Sequence, residues 1–150
     1  MTRRSQRIGK QGQDIALAAL RIRGVCLVQK IGTPVLLIPH PRERGYFRVI
    51  WEEKVAGDHR GVMPDGTSVL AEVKTIIDHN LRWSDFLPHQ PDGLTAHAAY
   101  AISLVVWVHA SGVYVLHWPI EGFFPGRSIA VRDADRFDWE TSAELERHTK

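Results

Sequence analysis

The stretch that most restricts how this chain can fold is Gly57-Asp58-His59-Arg60-Gly61-Val62-Met63, the turn Pro64-Asp65-Gly66, and the run Thr67-Ser68-Val69-Leu70-Ala71-Glu72-Val73-Lys74-Thr75. Proline presets φ and glycine supplies a left-handed position, so the turn predicts that the two runs fold back on each other as an antiparallel hairpin. Side chains alternate across a strand, which puts Leu70, Glu72 and Lys74 on one face and Val69, Ala71 and Val73 on the other. A carboxylate and an ammonium then sit on the same side of an apolar strand, where unpaired charge is costly. The alternative is a surface salt pair on a half-exposed strand, which would be worth little.

Apolar spacing from Gly9 to Arg23 (Ile15, Ala16, Ala19, Leu20, Ile22), closed by Gly24, predicts an amphipathic helix. Strands are expected at Val25–Ile31, Val35–Pro39 and Tyr46–Trp51. After a polar, irregular stretch from Asp78 to Asp85, Leu94, Ala98 and Ala101 recur at helical spacing, with Pro88 suited to the first turn, so residues 88–101 are read as a second helix. Ile102–Val108 and Val113–Trp118 are β-prone and predict a further hairpin across His109-Ala110-Ser111-Gly112. Residues 119–150 read as loops with a short helix from about Trp139. Together these give an α/β fold in one domain over 1–150: a basic N-terminal arm of about 1–8, a core of about 9–118 and a C-terminal extension of about 119–150. The tryptophans read as core or interface residues, with Trp83 kept open as a base-stacking platform.

The lone Cys26 lies in the apolar run Val25-Cys26-Leu27-Val28, so it reads as a small buried hydrophobe with no disulfide partner in the chain. With no apolar leader after the basic start and no membrane-length apolar run, the expectation is a soluble protein of the cytoplasm, bacterial or phage-infected. Charge is unevenly placed: residues 1–50 hold ten Lys and Arg against Asp14 and Glu43, and residues 51–150 hold nine against fifteen acids. The basic half is the part that would meet a polyanion.

Hydrolysing a phosphodiester needs a hard cation, an activated water and positive charge where the transition state gathers negative charge. Asp58 and Glu72, facing each other across the hairpin, are candidate ligands for one Mg²⁺ with the backbone carbonyl of Val73, and Lys74 is placed to orient or deprotonate the attacking water. By spacing alone an Asp followed by Glu-x-Lys arises often by chance; its place inside an apolar strand gives it weight. Histidines are too scattered for a zinc site.

These residues carry a resemblance. Gly9 to Gly24, the Asp58 to Glu72-Val73-Lys74-Thr75 hairpin, and His89-Gln90 with the following helix and strand resemble the PD-(D/E)xK nuclease superfamily, and within it the Holliday junction resolvases of the bacterial RecU-like and archaeal Hjc-like kinds. The resemblance implies a restriction-endonuclease-like mixed β-sheet flanked by α-helices, a homodimer, Mg²⁺ or Mn²⁺, and paired nicks in four-way DNA junctions. It makes Asp58 and Glu72 metal carboxylates, Lys74 the catalytic lysine, and Gln90 a helix glutamine beside the active centre; a helix-start cap is the equal alternative for Gln90. Where relatives carry a first-helix glutamate this chain has Gln13, which can reach a metal only through water and adds no charge, with Asp14 rotated about 100° around the helix. Arg3, Arg4, Arg7, Lys10, Arg42, Arg44 and Arg60 are candidate phosphate contacts. Two other readings stay open: a nuclease of the same superfamily acting on duplex or nicked DNA, and a DNA-binding protein whose metal site has decayed.

Overall fold

The structure is a computed structural model, which describes residues 3–31, 35–39, 41–45, 47–51 and 56–134. The terminal helix expected from Trp139 lies outside the described residues.

Nine strands and two α-helices are described: α1 (Arg3–Ile22), β1 (Cys26–Lys30), β2 (Val35–Pro39), β3 (Phe47–Trp51), β4 (His59–Val62), β5 (Ser68–Thr75), β6 (Leu81–Arg82), α2 (His89–Ala98), β7 (Ile102–His109), β8 (Gly112–Trp118) and β9 (Ser128–Ile129). Five strands form a mixed sheet in the order β1-β4-β5-β7-β8, with β5 and β7 parallel and the other neighbours antiparallel. The α/β class expected from the sequence is therefore present. The parallel β5–β7 pair requires a crossover, and α2 provides it.

The predicted hairpin forms around Pro64-Asp65-Gly66. Gly66 takes φ +89° and donates to the Met63 carbonyl at 2.8 Å, Met63 N–H donates to Thr67 O at 2.8 Å, and the Asp65 carboxylate accepts from Thr67 N–H at 2.9 Å. The resulting register pairs His59 with Ala71 and Arg60 with Leu70. Each helix covers one face. Ala16, Ala19 and Leu20 of α1 pack with Val69, Ala71 and Val73, whereas Leu94 of α2 packs with Leu70, Val105 and Trp107. Burying each such aliphatic side chain is worth about 1.5–3 kcal/mol relative to exposure, so the alternation read along β5 fixes which helix lies on which side.

Two expectations are corrected. Helix α1 begins at Arg3 rather than Gly9, because Arg3 to Ile8 contains no breaker and its arginines are good helix formers. Arg4, Arg7 and Lys10 thus stand on the first turns of a helix, exposed, and not on an extended arm. Cys26 is exposed, not buried. The register of β1 against β4 shifts between Cys26 and Gln29, and Leu27 takes φ +51°; this bulge turns Leu27 outward, 81% exposed, and breaks the alternation that an apolar run would otherwise follow. Trp83 is half-buried, with its ring packed at a tilt against those of Trp118 and Phe123 at 5.9 and 5.3 Å. Trp107 and Trp118 are buried core residues, as read.

Residues 119–134 are more than loops. They return β9 to pair with β6 and bring Phe123 and Ile129 onto the α2 face. β2 and β3 form a separate two-stranded antiparallel sheet, with Arg42 and Arg44 exposed in the bend between them. No described helix is long and apolar enough to cross a membrane.

Gly12 sets the closeness of α1 to the sheet, since a Cβ there would land on the Thr75 hydroxyl. On helix propensity alone Gly12→Ala would add up to about 1 kcal/mol, but overpacking costs about 1–3 kcal/mol, so a net loss of stability is expected. Urea denaturation should show a lowered midpoint that Thr75→Ala partly restores; a stabilised Gly12→Ala would mean that α1 does not bear on Thr75.

Candidate active site

The site begins where β4 stops and β5 continues. Asp58 is held on three sides: its N–H donates to Ala71 O at 2.8 Å, its carbonyl accepts from Ile31 N–H at 2.8 Å, and its carboxylate Oδ2 accepts from Val73 N–H at 2.7 Å. The carboxylate takes the place that the next residue of an adjoining strand would occupy. Peptide groups alternate along a strand, so the Val73 carbonyl is turned to the same edge as its N–H, toward Asp58.

Glu72 projects from the opposite face to Val73 and is 3% exposed. Its Oε2 accepts from Gly57 N–H at 3.0 Å, and its Oε1 accepts from Gln90 Nε2 at 2.7 Å and lies 3.3 Å from Lys74 Nζ. Lys74 Nζ donates to Gln90 Oε1 at 2.8 Å and stands 4.5 Å from the centroid of the Phe86 ring. With a side chain only 12% exposed, Lys74 belongs to a buried network, and the surface-pair alternative falls away. Burial, then the nearby charge of Asp58, pushes the Glu72 carboxyl from 4.5 up to about 7, even though Lys74 and the Gly57 N–H pull it down. Two carboxylates pressed together in this way are what a cation would relieve.

The Gln90 Oε1 also accepts from Leu87 N–H at 2.9 Å, just ahead of α2, while the same side chain bridges Glu72 and Lys74. At the other end of α2, the Ser103 hydroxyl donates to Leu94 O at 2.9 Å, so His97 Nδ1–H donates to Ser103 at 2.9 Å and Nε2 accepts from Ser68 at 3.1 Å. Burial, with the Arg60 charge second, holds His97 below its ordinary value, which suits this neutral form.

The structure thus gathers Asp58, Glu72, Lys74, Gln90 and the Val73 backbone at one end of the central strand. Gln13 belongs to the other face, where it lines a cavity with His59. Arg60 is exposed on β4, Arg4, Arg7 and Lys10 are exposed on α1, and Arg42 and Arg44 are exposed at the β2–β3 bend; the Arg3 side chain is outside the described residues. Sequence reasoning missed Gly57 and Phe86. Gly57 could have been suspected from its place just before the aspartate, where φ is +89° and a Cβ would strike Leu70; nothing in the sequence pairs Phe86 with Lys74. Among the described residues no group of three or more His, Cys, Asp or Glu is disposed to hold a metal. Compared with known protein families and with curated proteins, the chain matches none.

The Glu72 shift has a definite sign. The folded state holds the proton more tightly than the unfolded state, so stability is greatest below about pH 4.5 with respect to this group and falls as pH rises toward 7. At about 1.4 kcal/mol per unit the loss is on the order of 3 kcal/mol. Urea titrations in chelator at pH 5 and pH 8 should show this decline in the wild type and a much smaller one in Glu72→Gln; equal slopes would remove Glu72 as its cause.

Proposed function

We propose that the chain is a metal-dependent DNA endonuclease of the PD-(D/E)xK kind, with the restriction-endonuclease-like fold, acting on four-way junctions in the manner of a Holliday junction resolvase and working as a homodimer so that two sites address two strands. The observation that carries this reading is the convergence of Asp58 and Glu72 with Lys74 and Gln90 at one end of β5. The architecture supports it as well: a mixed sheet with a helix on each face is what the sequence resemblance implies.

The donor chemistry fits Mg²⁺, with Mn²⁺ as a substitute. Asp58, Glu72 and the Val73 carbonyl are hard oxygen donors, and two carboxylates suffice for an ion that keeps several of its waters. Bound there, the cation supplies a polarised phosphoryl group and a more acidic water. Asp58 and Glu72 hold the ion, and each is fixed by backbone N–H groups before any ligand arrives. Lys74 offers positive charge to the phosphate and a partner for the attacking water, its stem restrained by Gln90 and Phe86. Arg4, Arg7, Lys10, Arg42, Arg44 and Arg60 supply phosphate contacts that position DNA without reading its sequence, which suits selection of structure.

The test is cleavage of a labelled four-way junction beside a matched linear duplex, with Mg²⁺, Mn²⁺ or chelator. Paired, metal-dependent cuts at the junction are expected. Asp58→Asn and Lys74→Ala should each lose at least about a hundredfold in rate, while Asp58→Asn retains junction binding by gel mobility shift in chelator. Mg²⁺ should also raise the thermal midpoint of the wild type and not of Asp58→Asn. Cutting of both substrates would give a general nuclease, and no cutting of either with either metal would leave a binding protein and overturn the proposal.

A further inference from the structure

Helix α2 carries a glycine in its interior, where that residue serves a helix worst. Gly93 lies within His89–Ala98, half-buried, and glycine is the poorest helix former short of proline. It stands three residues after Gln90, which reaches Glu72 and Lys74, and next to Leu94, which packs on Leu70, so it shares the helix face turned to the sheet. A Cβ at Gly93 would land on the Ala56 methyl group. Its next neighbours would be Ala56 Cα at 3.5 Å and Ala56 N at 3.6 Å, which are ordinary contacts. The obstacle is thus one methyl group.

Through Ala56 the chain comes back to the carboxylate site. Gly57 follows with φ +89° and donates its N–H to Glu72 Oε2 at 3.0 Å; Asp58 comes next, fixed to Ala71 and Val73. Glu72 Oε1 is held from α2 and β5 by Gln90 and Lys74, whereas Oε2 is held by the Gly57 N–H. With a methyl group on residue 93, either α2 or the 56–57 segment has to yield. α2 is pinned along its length: the Leu94 carbonyl accepts from Ser103, Thr95 Oγ1 accepts from Trp118 Nε1 at 2.9 Å, and Gln90 is tied to the site. Asp58 is pinned as well. What is left to move is Ala56 with Gly57, and a displacement on the order of 1 Å takes an N–H···O contact of 3.0 Å out of hydrogen-bond range.

We infer that Gly93 is a positioning residue of the carboxylate site: its missing Cβ admits Ala56 against α2, and that contact seats the Gly57 N–H on Glu72 Oε2. Gly93 acts through Ala56 and Gly57, by setting how closely the approach to β4 passes the helix and hence how Glu72 presents its second oxygen. The seat has two sides, so a methyl group on one residue demands its absence from the other. That the site takes a cation and cuts DNA rests on the nuclease reading; the seat does not.

The full chain is compared as wild type, as Gly93→Ala, and as the double variant Ala56→Gly with Gly93→Ala, by ¹H–¹⁵N NMR in chelator. In Gly93→Ala the Gly57 amide proton should move upfield and exchange with solvent about tenfold or more faster, as befits a lost hydrogen bond to a charged group, while the β7 amides keep their shifts. The double variant should return both readings to wild type. An unmoved Gly57 amide in Gly93→Ala, or a double variant no closer to wild type than the single, overturns the inference, whatever happens to helix stability. Should Gly93→Ala fail to fold, the double variant decides alone: folded with the wild-type Gly57 amide it upholds the seat, and any other result sinks it. Junction cleavage is read separately. Where the wild type cuts, Gly93→Ala should lose about tenfold to a hundredfold in kcat with KM unchanged, and the double variant should recover it; unchanged kcat beside a displaced Gly57 also overturns the inference. A seat that behaves as described in a protein that cuts nothing keeps this inference and loses the nuclease, and a cutting protein with an indifferent Gly57 does the reverse.

Discussion

Everything on the α2 side of this molecule answers to one fact: the Glu72 carboxylate is buried in the middle of an apolar sheet. Such a charge survives only if each of its oxygens is satisfied, and three elements contribute to that end. Gly57 offers a backbone N–H from the approach to β4, Gln90 an amide from α2, and Lys74 a charge from β5 itself. The crossover helix is therefore tied to the sheet at its first turn by polar contacts and further along by Leu94. Its angle on the sheet and the position of the lysine are settled together. Removing any one partner leaves the others with a desolvated group, which is why the network has to be kept whole.

Asp58 plays a different part. Its carboxylate fills a gap in the hydrogen-bond ladder, where β4 ends before β5 does. Its Oδ2 takes the Val73 N–H at 2.7 Å, which sets a carboxylate beside the Val73 backbone at this edge. A sheet that had continued to pair would have buried these groups; the early end of β4 makes them available. Burial first, and the charge of Asp58 second, favour the protonated form of Glu72.

Much of this was legible in the residues. Period-two alternation along Ser68–Thr75 assigned both faces of the central strand, and the Pro-Asp-Gly turn set the register that aligns Asp58 with Glu72, because a hairpin of defined turn leaves no freedom to slip. What the residues did not disclose depends on contacts between distant segments. The bulge that exposes Cys26 arises from pairing with β4 rather than from any breaker within Val25–Lys30. The return of residues 119–134 over the aromatic cluster, and the placing of Phe86 beneath Lys74, are decided by packing across more than forty residues of chain in the first case and by the turn before α2 in the second, with no local period to announce either. Gln13 carried another lesson, since its helical position was read correctly while its side chain lines a cavity together with His59.

The Ile31 N–H donates to the Asp58 carbonyl at 2.8 Å beside the Lys30–His59 pair of β1 and β4, so the segment that carries the β2–β3 hairpin leaves the main sheet and rejoins it at neighbouring positions. Seen as architecture open to change, this is a docking bay. The excursion begins and ends at one point, and the closed loop transmits little of its own length or sequence to the residues that follow. Lineages, or engineers, could lengthen it, shorten it or exchange it while Asp58 stays anchored to Ala71 and Val73.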